Sequence, residues 1–181
     1  MKEFPTKKLV YLAFLIALTI VLQRFLSIQI PMAGVAGVRI GFGGLPIIIA
    51  GVTMGPLAGG AVGAIGDVVG YFMNPQGAYM PHFTMTAALT GIIPGWIIFT
   101  LLGGKRKIWM LLLAIGVGQL TTNVILVPVF LQMLFGIPIQ ATMVPNFFSQ
   151  FISVPIYAYL IRILYNYKAF RALEGEMGRS R

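Results

Sequence analysis

The stretch that decides the fold is GPLAGGAVGAIGDVVGYF, residues 55–72, an apolar and glycine-rich run that contains one carboxylate, Asp67. The other three acidic residues of the chain are Glu3, Glu174 and Glu176, close to its two ends. An apolar run of this length is long enough to cross a bilayer as a helix. The stretch therefore raises the question of why the only internal acid lies within a membrane-spanning segment.

The composition of the whole chain indicates a membrane protein. Of the 181 residues, 58% are hydrophobic and 9% are charged, whereas a soluble domain has about 25% charged residues. The chain has no cysteine, so neither a disulfide nor a thiolate metal site is expected, and no other motif predicts a metal or cofactor. The N-terminal apolar run lacks a small-residue cleavage site, and we interpret it as a retained first helix.

Proline and glycine clusters divide the chain into six predicted helices. The first three cover about residues 8–26, 40–52 and 56–72. The fourth ends near residue 102, the fifth ends near 134 and the sixth covers about 144–167, while SIQIPMAGVAGVRIG (27–41) is interpreted as a loop or re-entrant stretch. We therefore expect an all-α integral membrane protein, a compact bundle of six transmembrane helices forming one domain over 1–181, with a tail at 168–181.

The basic residues set the orientation of this bundle. With the N-terminus in the cytoplasm, eleven of the thirteen lysines and arginines lie on the inner side, and only Arg24 and Arg39 lie on the outer side. Such an excess is typical of inner loops, and an odd number of helices would remove it. We expect both termini in the cytoplasm, and the lipid bilayer rather than a nucleic acid as the partner of the basic charge.

Polar side chains within the spans cluster at one depth. With a rise of about 1.5 Å per residue, Asp67 lies roughly 18 Å above the inner surface, in the outer half of the membrane. A channel or proton relay would need polar groups through the full thickness. The pattern instead predicts one outward-facing pocket, and its candidate ligand-binding residues are Arg39, Asp67, Tyr71, Tyr79, His82, Asn123, Asn146 and Gln150.

Several of these residues have a structural alternative. A lone Asn or Gln in a span is often a hydrogen-bonding contact between helices, which is the alternative for Gln119 and Gln150. His82 can cap a helix, and tyrosines are common at the membrane interface. Asp67 differs because an unpaired ionised carboxylate in a span costs about 2.5 kcal/mol or more. It must pair with Arg39, pair with a ligand or be protonated.

Small residues mark two further faces. Ala13 and Ala17 are four residues apart in the first helix, a spacing that lets another helix approach closely. Packing within the bundle is the alternative interpretation of this pair. The third helix carries a second small face, which we expect to pack closely on a neighbouring helix and which consists of Gly55, Gly59, Gly63 and Gly66.

No catalytic motif accompanies the predicted pocket. The chain has no Walker-type glycine loop, no paired carboxylates and no His/Glu spacing for a metal. A pump that hydrolyses ATP is therefore excluded, and an enzyme is disfavoured. The two halves also lack the matching broken helices of transporters built from inverted repeats. A small binding protein without an energy source needs a partner to move its ligand.

A longer stretch carries a family resemblance. RFLSIQIP, VRIGFGGLPIIIAGVTMGPLAGGAVGAIGDVVGYF and GAYMPHFT resemble the substrate-binding S component of energy-coupling factor (ECF) vitamin transporters. The chain is most similar to the folate-specific branch, which has a comparable RFLSIQ, LP…AG…GP…G…G…D…G and GYxPxFT. The resemblance covers about residues 8–100 well and the rest by topology.

The resemblance implies a division of labour between chains. The S component binds a vitamin on the outer side of a prokaryotic cell membrane, without cofactor or catalysis. A transmembrane coupling subunit and two ATP-binding subunits then topple it to release the vitamin inside, and Ala13 and Ala17 match the family's docking surface. The alternative is an S component for another water-soluble vitamin or precursor. An intramembrane enzyme or a purely structural membrane protein is less favoured.

A folate ligand would explain the internal acid. Its aminopyrimidine edge offers adjacent N–H donors, from which the Asp67 carboxylate would accept two parallel hydrogen bonds. Arg39 would meet the glutamyl carboxylates or pair with Asp67, and Tyr71 or Tyr79 would stack on the ring. The three amides Asn123, Asn146 and Gln150 would complete the polar set. The loop at 27–41 would close over the ligand.

Overall fold

The structure, a computed structural model, describes residues 6–25, 27–32, 35–73, 75, 79–103 and 107–166, without the side chains of 24–40 and 166. Its α-helices are α1 (Thr6–Phe25), α2 (Gly44–Met54), α3 (Pro56–Met73), α4 (Pro81–Trp96), α5 (Ile108–Gln119), α6 (Val127–Phe135) and α7 (Ile139–Asn166). Two π-helical segments, π1 (Ile97–Leu101) and π2 (Leu120–Leu126), continue α4 and join α5 to α6. The described chain therefore forms six helical rods.

Five of the six rods are long and apolar enough to cross a membrane, and the remaining rod, α2, has 11 residues. The predicted helical membrane protein with six helices is confirmed. The predicted start of the last helix near residue 144 is wrong, because α7 begins at Ile139 and runs through Pro145 and Pro155. Prolines are tolerated within membrane helices because neighbouring groups satisfy the freed carbonyls. The orientation of the termini is a prediction that the structure does not test.

Residues 27–41, interpreted from the sequence as a loop or re-entrant stretch, contain an antiparallel hairpin of β1 (Ser27–Met32) and β2 (Val35–Gly41). Gln29 pairs with Arg39 in its register. The register shifts between Ile30 and Pro31, where proline has no N–H to donate to the ladder. The hairpin connects α1 to α2, so Arg39 lies on the strand that leads into the start of α2.

The centre of the bundle is α2, although it is the shortest rod. Ile48, Ala50 and Val52 have no exposed surface, and α2 packs against α1, α3 and α4. An apolar helix that is buried on all sides needs no amphipathic pattern. Because its neighbours surround it, α2 forms the core on which the other helices are arranged.

Three glycines bring α2, α3 and α4 into backbone contact, and we call Gly51, Gly59 and Gly91 the glycine contact. A Cβ atom on Gly59 would lie 2.7 Å from Gly51 Cα, and one on Gly91 would lie 2.8 Å from Gly59 Cα. No side chain fits at such distances. On the same helix, Gly63 meets the Ala87 backbone and Gly66 meets Thr19. The expected close packing of the α3 glycines is confirmed at Gly59, Gly63 and Gly66.

Candidate functional site

The internal acid is held by α4. Thr84 Oγ1 donates a hydrogen bond of 2.7 Å to Asp67 Oδ2, and the Tyr79 hydroxyl lies 3.0 Å from the same Thr84 oxygen. Since a threonine hydroxyl has one hydrogen to donate, and this one goes to the carboxylate, Tyr79 must be the donor to Thr84. The three residues form a chain of hydrogen bonds that points from Tyr79 to Asp67.

The spacing of α3 and α4 explains how two short side chains meet. A Cβ atom on Gly63 would lie 2.7 Å from the carbonyl carbon of Ala87, so the two backbones touch there. One turn further along each antiparallel helix, Asp67 follows Gly63 and Thr84 precedes Ala87. Residues three and four apart lie on one face of a helix. The missing side chain of Gly63 therefore lets Thr84 reach Asp67.

Two tyrosines adjoin this carboxylate. The rings of Tyr71 and Tyr79 lie 5.2 Å apart between centroids and are tilted by 56°. Asp67 is half-buried, and among the described side chains its hydrogen-bond donor is Thr84. A carboxylate can accept several hydrogen bonds, so the single bond from the Thr84 hydroxyl leaves other acceptor positions of Asp67 unused. We call Asp67, Tyr71, Tyr79 and Thr84 the carboxylate cluster.

A second polar group joins π2 to α7. The Asn123 side-chain amide donates to Gln119 Oε1 and, at 3.3 Å, to Thr122 Oγ1. The Asn146 amide of α7 donates at 2.9 Å to the backbone carbonyl of Asn123. Gln150 follows Asn146 by one turn and is 8% exposed. We call Gln119, Asn123, Asn146 and Gln150 the amide cluster.

Gln150 is unusual within this cluster. Its Oε1 atom is buried and accepts no hydrogen bond from the residues that the structure describes. A buried polar atom without a partner costs about 1–3 kcal/mol. In a binding protein, a ligand that carries a hydrogen-bond donor can satisfy such an atom. Gln150 is therefore the amide whose chemistry points most directly to a ligand.

Helix α4 stands between the two clusters. Thr84 faces Asp67 of α3, whereas Thr90 Oγ1 lies 3.3 Å from Thr122 Oγ1 of π2. Six residues on a helix of 3.6 residues per turn correspond to a rotation that leaves these threonines about 120° apart, so they lie on different faces of α4. Six of the eight predicted site residues, all except Arg39 and His82, are thus brought together in two groups that border α4.

The remaining predicted residues have other surroundings. His82 is exposed, and its ring centroid lies 5.1 Å from that of Phe130 on α6. The Arg39 side chain lies outside the described residues, so its pairing with Asp67 stays a prediction. Ala13 and Ala17 are both exposed on α1, opposite the buried Leu15 and Thr19.

The predicted list of ligand-binding residues lacks three residues that the structure connects to the site, of which Gln119 was considered as a contact between helices. Thr84 is the last residue of the motif GAYMPHFT, and its hydroxyl one turn into a helix was the available signal. Gln119 precedes Asn123 by four residues, which places both amides on one helix face. Tyr157 of α7 donates at 2.6 Å to the carbonyl of Gly41, the last residue of β2, and no sequence pattern predicted this contact.

Comparison with known proteins identifies several relatives. The family model described as ECF-type riboflavin transporter, S component, matches residues 3–168. Folate transporter FolT of Clostridium novyi (strain NT) is 37% identical over 153 residues, which are 84% of this chain and 84% of that protein. A crystal structure of FolT bound with folic acid has a TM-score of 0.75 and 29% identity, covering 91% of this chain and 97% of its own.

A second solved structure extends the likeness in fold. The S-component for biotin from an ECF-type ABC transporter has a TM-score of 0.71, covering 93% of this chain and 95% of its own. Its sequence identity is 18%, so the likeness concerns the fold alone. The descriptions of the family model and of these relatives mention riboflavin, folate and biotin.

Proposed function

Given that the chain belongs to the family of ECF-type riboflavin transporter S components, we propose that it is the high-affinity folate-binding subunit of a vitamin uptake transporter. The family consists of multi-pass membrane transport proteins and not of enzymes. The observation that carries the proposal is the likeness to FolT in both sequence and fold over most of each chain. We propose further that residues 1–181 form one domain in the cell membrane of a prokaryote.

The carboxylate cluster favours folate over riboflavin on chemical grounds. A pterin ring presents an amino group next to a ring N–H, and a carboxylate accepts both in parallel as charge-assisted hydrogen bonds. The corresponding edge of a flavin has one N–H between two carbonyl oxygens. These oxygens are acceptors, so they would be repelled by the carboxylate of Asp67. The acceptor positions that Thr84 leaves unused are the ones that a pterin would occupy.

We assign the other candidate residues around this pairing. Tyr71 and Tyr79 would stack on the pterin or flank it, and Arg39 on the hairpin would meet the glutamyl carboxylates. Asn123 and Gln150 of the amide cluster would bind the vitamin through their side chains. Asn146, whose nitrogen donates to the Asn123 carbonyl, would bind it through its side-chain oxygen. His82 would line the rim against Phe130. The hairpin would close over the bound vitamin.

The test is a ligand panel on the purified protein in detergent. Titration calorimetry with folic acid, riboflavin and biotin should show saturable binding of folic acid, at one site per chain, and no heat from the other two. Riboflavin is the second candidate because the matching family model carries its name. Saturable binding of riboflavin without binding of folic acid would overturn the proposal.

Transport requires partners, and we propose a transmembrane coupling subunit with two ATP-binding subunits. The support within this chain is the exposed side of α1, where Ala13 and Ala17 lie beside the exposed Val10 and Phe14. A row of small residues on an outer helix face lets a second helix approach closely. This face lies on the side of α1 opposite the bundle core.

Replacement of either alanine by tryptophan tests this docking surface. Ala13→Trp and Ala17→Trp should abolish folate uptake by cells and leave folic acid binding by the isolated protein nearly unchanged. Ile152→Trp, at a position 65% exposed on α7, is the control and should leave uptake intact. Loss of binding together with uptake in the α1 variants would contradict a docking role.

A further inference from the structure

The junction of π2 and α6 contains a backbone carbonyl that its own helix does not satisfy. In the π register, the Val127 N–H bonds to the carbonyl of Thr122, five residues earlier. The next donor in this ladder would be the N–H of residue 128, and its acceptor would be the carbonyl of Asn123. Residue 128 is a proline, which has no N–H.

A side chain from another helix supplies the missing donor. The Asn146 amide of α7 donates to this Asn123 carbonyl at 2.9 Å, and Asn146 is 5% exposed. Of the two polar atoms of an amide side chain only the nitrogen can donate to a carbonyl oxygen, so the orientation of this amide is fixed by its partner. Away from water, an unsatisfied carbonyl is strongly unfavourable, and within a membrane no solvent can replace the donor.

We propose that Pro128 and Asn146 are a pair of positioning residues for the side chain of Asn123. Pro128 lacks the N–H that would donate to the Asn123 carbonyl in the helix. Asn146 donates to that carbonyl instead, so the backbone of residue 123 is bonded to α7. The Asn123 amide, which also donates to Gln119, is thereby held in one direction. The proposal rests on the proposed function, because Asn123 is one of the assigned folate ligands.

This inference changes the assignment of Asn146. Both of its neighbours in the amide cluster, Asn123 and Gln150, keep a polar atom for the ligand. One N–H of the Asn146 amide is used by the backbone of residue 123, and in this proposal Asn146 acts on the vitamin through Asn123. Asn146 is then a positioning residue, and this role replaces the direct contact with the vitamin that was assigned to it above.

The test is a double-mutant cycle with folic acid affinity as one readout and thermal unfolding without ligand as the other. Asn146→Leu should weaken folic acid binding about tenfold, the size expected when a buried acceptor loses its donor, and should lower the unfolding temperature. Pro128→Ala supplies the N–H of residue 128. In that background, Asn146→Leu should cost less than about threefold in affinity, because the carbonyl has regained a partner.

Two controls separate positioning from general stabilisation. In an Asn123→Ala background, Asn146→Leu should not weaken binding further, whereas a merely structural role would still do so. Pro155→Ala restores an N–H in another part of α7 and should not rescue Asn146→Leu. Equal losses from Asn146→Leu with and without Pro128→Ala would overturn the proposal.

Failure of the proposed function would look different. If folic acid did not bind at all, the coupling between Pro128 and Asn146 would still be present in the unfolding temperatures measured without ligand. If folic acid bound and both readouts showed no coupling between the two positions, the positioning pair would be wrong and the folate assignment would stand.

Discussion

The contact between α3 and α4 and the contact between π2 and α7 are built in opposite ways. The first brings backbones together through Gly59, Gly63 and Gly91, with almost no space for a side chain. The second joins the helices by amide hydrogen bonds such as that from Asn146 to Asn123. The first contact should tolerate no added volume, and the second should tolerate volume better than the loss of a donor or acceptor.

The largest expected effect comes from adding a methyl group to the glycine contact. Gly91→Ala would place a Cβ atom 2.8 Å from Gly59 Cα, where only backbone could give way. Overpacking typically costs about 1–3 kcal/mol, and we expect a clash with backbone to lie at the upper end of this range. We expect little monodisperse protein and a large fall in unfolding temperature. Gly116→Ala, whose nearest neighbour would be Val154 Cγ1 at 3.8 Å, is the control and should be as stable as the original chain.

Equal stability of these two alanine variants would show that α3 and α4 can separate without loss of the fold. The expectation that the contact between α3 and α4 tolerates no added volume would then be wrong.

The next effect concerns ligand binding at the carboxylate cluster. Asp67→Asn keeps an oxygen to accept from Thr84 and loses the charge, so the bundle should remain folded. Loss of one partner in a desolvated charged pair costs about 2–5 kcal/mol, and each 1.4 kcal/mol is tenfold. Folic acid affinity should therefore fall by one to several orders of magnitude, as measured by calorimetry.

Two threonine variants calibrate that result. Thr84→Val should weaken folic acid binding less than Asp67→Asn does, while Thr100→Val, at an exposed position on π1, should have no effect. Unchanged affinity in Asp67→Asn, with lower thermal stability in Asp67→Ala, would make the carboxylate a structural counter-ion.

The amide cluster should respond with opposite signs in stability and binding. Gln150→Leu removes the buried oxygen that has no partner among the described residues, and should stabilise the protein without ligand by about 1 kcal/mol. The same change should weaken folic acid binding about tenfold. Thermal unfolding and calorimetry on one preparation measure both. Gln140→Leu, at an exposed position of α7, should change neither, and a less stable Gln150→Leu would assign the residue to packing.

The smallest expected effect lies at the base of the hairpin. Tyr157→Phe removes the hydroxyl that donates at 2.6 Å to the Gly41 carbonyl, and leaves the ring contact with Phe42 at 6.4 Å. A neutral hydrogen bond contributes about 0.5–1.5 kcal/mol, so folic acid should dissociate roughly fivefold faster in stopped-flow measurements. Tyr159→Phe, 62% exposed, is the control. Identical rates in both variants would mean that the hairpin does not control release.

The helical framework could be predicted from the sequence because its signals are local. Apolar runs of membrane length and clusters of proline and glycine mark the helices, and the α3 glycines indicated close packing. The start of α7 was missed since Pro145 was taken as a boundary, which is reliable in water but not in a bilayer. The hairpin was missed because Pro31 and three glycines outweighed the alternation of Ile28 and Ile30 with polar residues.

The candidate site was less predictable because its contacts join distant segments. The sequence indicated that Asp67 needs a partner, but not that Thr84 would supply one of its hydrogen bonds. It also could not show that α4 separates the amides from the carboxylate, since this depends on helix rotation. The π register of π2 has no known sequence signature, so the dependence of Asn123 on Pro128 and Asn146 emerged only in three dimensions.

The glycine contact has a consequence for how such proteins diversify. Gly51, Gly59 and Gly91 hold three helices together without any side chain from the two polar clusters. A lineage could therefore exchange the carboxylate or the amides, one residue at a time, and keep the same scaffold. Selection for a new nutrient would act on side chains whose replacement leaves the central helices in place, and a single folded frame could pass from one vitamin to another without an unfolded intermediate in its history.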